Sequence, residues 1–354
     1  MAESRPGGSN RLRFEIATVA LVVIVAGVAI AGGLLGRSGA AQESRATAAQ
    51  TERQFVSVSA GTGAESKGSA AMTRPLATAG RSPVSPPLPS LLAAIGDSYS
   101  QGYDVSPTVP AGHDNLANSW VLGTAVDDGV FSLLERFEAL GASPAVVDAA
   151  TSGTRMADAL RQAKLVVAAA QQLPPGATAY VAFELGTNDL CADPQTNPHL
   201  FLAEIGAATA VLEEGLPPGS RILMLAVPDF DHFRVITQAD ATTRAFFASA
   251  RHSRQCAPFL GSRSQTPLAQ ASATLASYDR SLDTACRDIE ATYGPSDRLH
   301  CSGPTGLAES DFVVADLSSV DYFHPSLLGQ ASMADAAWKM GDWALVPLPA
   351  DSIQ

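Results

Sequence analysis

Four short blocks hold, in one order, the residue types that acyl transfer requires: Gly96-Asp97-Ser98-Tyr99-Ser100, Ser152-Gly153-Thr154-Arg155, Gly186-Thr187-Asn188-Asp189 and Asp321-Tyr322-Phe323-His324-Pro325. A serine hydroxyl becomes a useful nucleophile only when a base takes its proton. Ser98 is the candidate nucleophile and His324 its base. Asp321, three residues before the histidine, can turn back to hold the imidazole. The tetrahedral oxyanion needs fixed donors. The backbone N–H groups of Ser98 and Gly153 and the side-chain amide of Asn188 can supply them.

Each block also has a plainer meaning. Gly-Asp-Ser on its own is a common strand-to-helix turn with Ser98 or Asp97 as cap. Here an apolar run leads straight into it, and Ser98 is expected at a helix N-terminus, where the dipole favours negative charge. Asp97, adjacent to the nucleophile, is expected to order the loop. Ser152-Gly153-Thr154 doubles as the entry to a helix, and a glycine there lets its N–H approach a substrate. His324 is followed by Pro325, which suits the first position of a helix and keeps His324 in the loop before it. His113, His199, His232, His252 and His300 have no metal-ligand spacing and are expected at the surface. Trp120, in Ser119-Trp120 ahead of Gly123-Thr124, reads equally as core or as a pocket wall.

Apolar runs of strand length recur at Leu91–Ile95, Ala145–Ala149, Ala179–Leu185, Arg221–Val227 and Asp311–Ala315. Helical spacing of apolar residues marks 154–173, 200–216, 267–292 and 325–343 between and after them. Strands alternating with helices predict an α/β fold with a mostly parallel sheet covered on both faces. In such sheets ligands bind beyond the carboxyl ends of the strands. Ser98, Gly153 and Asn188 each follow one of these strands, so three separate segments deliver their residues to one edge.

The chain of 354 residues carries 23 Lys+Arg against 35 Asp+Glu, a net of −12. The charge is divided: residues 1–90 hold 9 basic and 5 acidic groups, which leaves 14 and 30 for the rest. A domain that acidic is a poor partner for nucleic acid. The uncharged run Ile16–Leu35 is long enough to cross ~30 Å of hydrocarbon. Arg5, Arg11 and Arg13 before it predict residues 1–15 in the cytoplasm and the remainder outside. The competing reading is a cleaved secretory signal with Ser38-Gly39-Ala40 at the cleavage site. Residues 36–90, rich in Ala, Ser, Gly and then Pro, are expected to form a disordered tether of roughly 40 Å r.m.s. span. The catalytic domain is expected over 91–345, with a tail at 346–354. No Walker loop, dinucleotide fingerprint or HExxH occurs, so neither cofactor nor metal is expected.

The order of the four blocks resembles the SGNH/GDSL hydrolase family over roughly Leu91 to Trp338. Asp321-Tyr322-Phe323-His324-Pro325-Ser326 with Gly329-Gln330 is closest to its actinobacterial, phospholipase B-like branch of secreted or anchored esterases and lipases. The resemblance implies a three-layer, flavodoxin-like α/β/α sandwich on a five-stranded sheet. It also implies a serine esterase or lipase acting on small-molecule, lipid or acylated-glycan esters, with Ser98, His324 and Asp321 catalytic and Ser98, Gly153 and Asn188 forming the oxyanion hole. An acyltransferase onto envelope glycan or lipid would use the same residues, and a non-catalytic binding module is the third reading. Four cysteines allow three pairings, and an exported domain favours two disulfides. The resemblance implies Cys191–Cys256 and Cys286–Cys301.

Overall fold

The structure, a computed structural model, describes residues 86–261, 263–293, 298–303 and 311–349. The expected cytoplasmic segment, the membrane helix at 16–35, the tether up to residue 85 and the last five residues lie outside the described residues. Among the described residues, no helix is long and apolar enough to cross a membrane.

Five strands form one all-parallel sheet: β1 (Leu91–Gly96), β2 (Ala145–Asp148), β3 (Ala179–Glu184), β4 (Arg221–Met224) and β5 (Leu299–Cys301), in the order β2-β1-β3-β4-β5. β1 and β3 are buried along their whole length. That is why they read as unbroken apolar runs: a strand covered on both faces has no solvent side to mark with polar residues. β2 lies at an edge and is largely exposed.

Eight helices surround the sheet: α1 (Leu133–Ala139), α2 (Ala159–Ala170), α3 (Thr187–Leu190), α4 (Pro198–Gly215), α5 (Phe230–Ala239), α6 (Ala241–Ala248), α7 (Leu268–Tyr293) and α8 (Leu327–Met340) among the described residues. α4 packs against both α2 and α7, while α1 meets α8. Around α1 and α8, Phe137 makes edge contacts with Tyr180, Trp338 and Trp343 at 4.9–5.3 Å between ring centres. Where α4 meets α7, Phe201 stacks on Tyr278 at 3.9 Å. Helix starts follow local chemistry. Ser132 closes a full capping box with Glu135 at α1, and Asn197 caps α4 ahead of Pro198.

The structure corrects three expectations. The fifth strand is Leu299–Cys301, not 311–315, where a single turn of 3-10 helix spans Val314–Asp316 with Val313 exposed. Ser98 does not begin a helix. A series of turns runs from Ser98 to Asp104, with the N–H groups of Gln101 and Tyr103 both donating to the Ser98 carbonyl. Gly102 and Asp104, at φ 59° and 51°, turn the chain out of any helical path, so no helix begins at Ser98. Pro325 is not the first helical residue either; it pairs with Leu317 as an isolated bridge, and Ser326 caps α8.

Candidate active site

Gly96 ends β1 where no side chain fits: a Cβ there would sit 2.8 Å from the Glu184 carbonyl on β3 and collide with the Ser100 hydroxyl. The turn that follows places Ser98 at the sheet edge, only 5% exposed. From the far end of the sequence, the loop before α8 delivers His324 to it. The Ser98 hydroxyl lies 2.9 Å from His324 Nε2, and His324 Nδ1 lies 2.6 Å from Asp321 Oδ2. An ionised carboxylate can only accept, so Nδ1 carries the proton and Nε2 presents its lone pair to Ser98.

Asp321 is held as firmly as it holds. Its other oxygen accepts the N–H groups of Phe323 and His324 at 3.0 and 3.1 Å. That tight turn is possible because Tyr322 adopts φ 52°, a strained value for a side chain of its size. The loop is tied back to the nucleophile's own segment. The Tyr99 hydroxyl donates to the Phe323 carbonyl at 2.8 Å, and Gln330 Nε2 donates to the Tyr99 carbonyl at 3.0 Å.

The second and third blocks reach the same edge. Gly153 follows β2 at φ 82°, and nothing lies within 4 Å of where its Cβ would be, so its backbone is open to a ligand. The Thr151 N–H donates to the Gly96 carbonyl at 3.2 Å, which fixes this loop to the end of β1. Asn188 stands in the short helix α3, with its amide directed at the first two blocks. Nδ2 donates to Asp97 Oδ2 at 3.1 Å and to the Thr154 carbonyl at 2.9 Å. Both amide hydrogens are thus engaged in the free protein, and a substrate oxygen must share or displace one of them.

Asp97 does order its loop as expected, its Oδ1 accepting the Tyr99 N–H at 3.0 Å. It is also fully buried. Burial pushes its carboxyl up to about 7, against the opposing pull of the Tyr99 N–H, the His324 charge and the Asn188 amide; Asp189 pushes it further up.

Several residues that serve the site carried no signal in the motifs. Gln255 Nε2 donates to the Asp321 carbonyl at 3.2 Å, and the Tyr103 ring lies 4.7 Å from the His324 ring. Asp189 accepts the Met156 N–H at 2.7 Å, joining the third block to the second. Asp189 itself stands in the third block, but the block does not show this bond. Asp104 brings a further carboxylate near the imidazole: a carboxylate oxygen each of Asp104 and Asp321 and a ring nitrogen of His324 all lie within 4.8 Å of one another. Trp120 is fully buried and belongs to the core. Of the remaining histidines, His113 and His199 are exposed. His232, His252 and His300 are instead half-buried, against the Phe312 carbonyl, the Phe246 ring and Asp342 respectively.

The disulfides are Cys191–Cys256 and Cys286–Cys301, the pairing that the resemblance implies. The first joins the residue just past α3, three beyond Asn188, to the residue next to Gln255. One covalent link therefore spans the segments that carry the Asn188 amide and the support for Asp321.

Comparison with known proteins shows the family. Among solved structures, the chain is similar to TesA, at 17% identity over 73% of this chain and 99% of that one, with a TM-score of 0.44. It is also similar to the psychrotrophic esterase EstA from Pseudoalteromonas sp., at 15% identity, 73% and 100% coverage and a TM-score of 0.42. A third likeness is the M. smegmatis aryl esterase, at 13% identity, 73% and 100% coverage and a TM-score of 0.40. No curated protein matches the sequence. The family model of GDSL-like lipases/acylhydrolases, however, matches residues 92–337, well over half the chain. The chain belongs to that GDSL-like lipase/acylhydrolase family and is a carboxylic ester hydrolase.

Proposed function

We propose that this protein is an extracytoplasmic serine esterase or lipase, held to the membrane by its N-terminal segment, that cleaves carboxylic esters through a Ser98–His324–Asp321 triad. The observation that carries the mechanism is the unbroken chain of bonds from Asp321 Oδ2 through both nitrogens of His324 to the Ser98 hydroxyl. In that chain His324 takes the serine proton as Ser98 Oγ attacks the ester carbonyl. Asp321 stabilises the imidazolium that forms without itself becoming protonated. The Ser98 and Gly153 N–H groups and the Asn188 amide receive the oxyanion. Collapse expels the alcohol, protonated by His324, and leaves an acyl-Ser98. Water, deprotonated by the same imidazole, then releases the acid and restores the enzyme.

The location rests on the uncharged run Ile16–Leu35 and the arginines before it. Two disulfides in a four-cysteine chain also support an oxidising compartment. The test is Ser98→Ala on a panel of p-nitrophenyl esters from acetate to palmitate. Turnover should fall on the order of 10³-fold or more with the fold unchanged. A folded variant that keeps its turnover would remove Ser98 from the reaction.

A further inference from the structure

Asn188 can donate to an oxyanion only if its nitrogen, and not its oxygen, faces the site. Nothing in the shape of a primary amide enforces this, since the two ends are nearly isosteric. Here the electrostatics of two neighbours enforce it. The groups beside Nδ2 are Asp97 Oδ2 and the Thr154 carbonyl; the carbonyl can only accept, and so can Asp97 in its ionised form, which prevails above about pH 7. A flipped amide would set its oxygen against two acceptors while its nitrogen lost both. The Thr154 carbonyl belongs to the backbone and is always present, whereas the carboxylate is a choice of side chain.

The two oxygens of Asp97 also serve separate donors, Oδ1 the Tyr99 N–H and Oδ2 the Asn188 amide. An asparagine of the same shape has one acceptor atom and cannot serve both. A carboxylate is therefore required at this position, although burying it raises its carboxyl to about 7, burial being the largest cause.

Resting on the proposed role of Asn188 as an oxyanion donor, we propose that Asp97 is a positioning residue that fixes the Asn188 amide with its nitrogen toward the substrate oxygen. It acts through Asn188 and touches no reacting atom. This ties the residue before the nucleophile to the third block, 91 positions away, in one donor-setting unit.

The test is a double-mutant cycle on the full-length protein with a p-nitrophenyl ester: Asp97→Asn, Asn188→Ala, and both together. Asp97→Asn should lower kcat by roughly 10–10²-fold with KM changed by less than about threefold, because the lost interaction forms in the transition state. Asn188→Ala should lower it by roughly 10²–10³-fold. The double variant should match Asn188→Ala alone to within about threefold, since Asp97 has then nothing left to position. Multiplicative losses, or wild-type kcat in Asp97→Asn, overturn the proposal. Asp97→Ala removes the same acceptor without adding a donor and provides a second route. Failure of both Asp97 variants to fold would make the carboxylate a folding residue and also overturn it. Ser98→Ala run in parallel separates the two claims. Full turnover there sinks the Ser98 reading itself, whereas a dead Ser98→Ala with uncoupled Asp97 and Asn188 sinks only the positioning role.

Discussion

Burying Asp97 beside the nucleophile has a cost that pH should expose. Its carboxyl is raised from 3.8 to about 7, chiefly by burial. A group whose folded pKa lies above its unfolded value stabilises the fold fully below the unfolded value, and that contribution is lost as pH rises through the folded one. The window is therefore roughly pH 4 to 7, with the fold weaker on the alkaline side. At about 1.4 kcal/mol per unit, the whole span is about 4 kcal/mol, of which about 3 falls between pH 5 and 8. Asp97→Asn removes the ionisation and with it this share of the slope. Other carboxylates raised by burial, the half-buried Asp279 at about 6 among them, also contribute in the same direction, but they are common to both proteins and cancel. The assay is urea unfolding of wild type and Asp97→Asn at pH 5 and pH 8. The stability difference should shift by about 3 kcal/mol in favour of the variant on going to pH 8. A difference independent of pH, or one that moves toward the wild type, would mean that Asn188 and the Tyr99 N–H compensate the charge fully and that the burial argument is wrong.

Three further outcomes follow from the same geometry. Removing Cys191–Cys256, which closes 65 residues, should cost about 4 kcal/mol, and removing Cys286–Cys301, which closes 15, about 3, as read from urea midpoints. Only the first should also depress kcat, because it spans the segments carrying Asn188 and Gln255; equal effects on activity would refute that coupling. Asp321→Asn should lower kcat by about 10⁴-fold on nitrophenyl acetate, since the amide can set the wrong imidazole tautomer and cannot support the imidazolium.

Most of the scaffold was readable because its central strands are apolar throughout and its long helices have clear spacing. β1, β3 and β4 are buried elements whose composition records that burial. β5 was missed for a physical reason. It is three residues long with a polar His300 at its middle, and only its pairing with Ile222–Met224 defines it. The stretch 311–315 carries as much apolar character, yet it pairs with no strand among the described residues and curls into a 3-10 turn. Within the site, Ser98, Asp321 and His324 were legible as types in sequence order, because their chemistry constrains what can stand there. The bonds among Asp97, Thr154 and Asn188 were not. They join two loops and the short helix α3, which are adjacent only because β2, β1 and β3 lie side by side, and no local pattern encodes such a meeting.

The central claim is that Ser98 is the covalent centre, activated by His324. Its most direct measurement is a fluorophosphonate reaction with the full-length protein, followed by proteolysis and mass mapping of the adduct. The adduct should sit on Ser98 alone, and labelling should fall by orders of magnitude in folded His324→Ala. An adduct on another residue, or undiminished labelling without His324, would contradict the account.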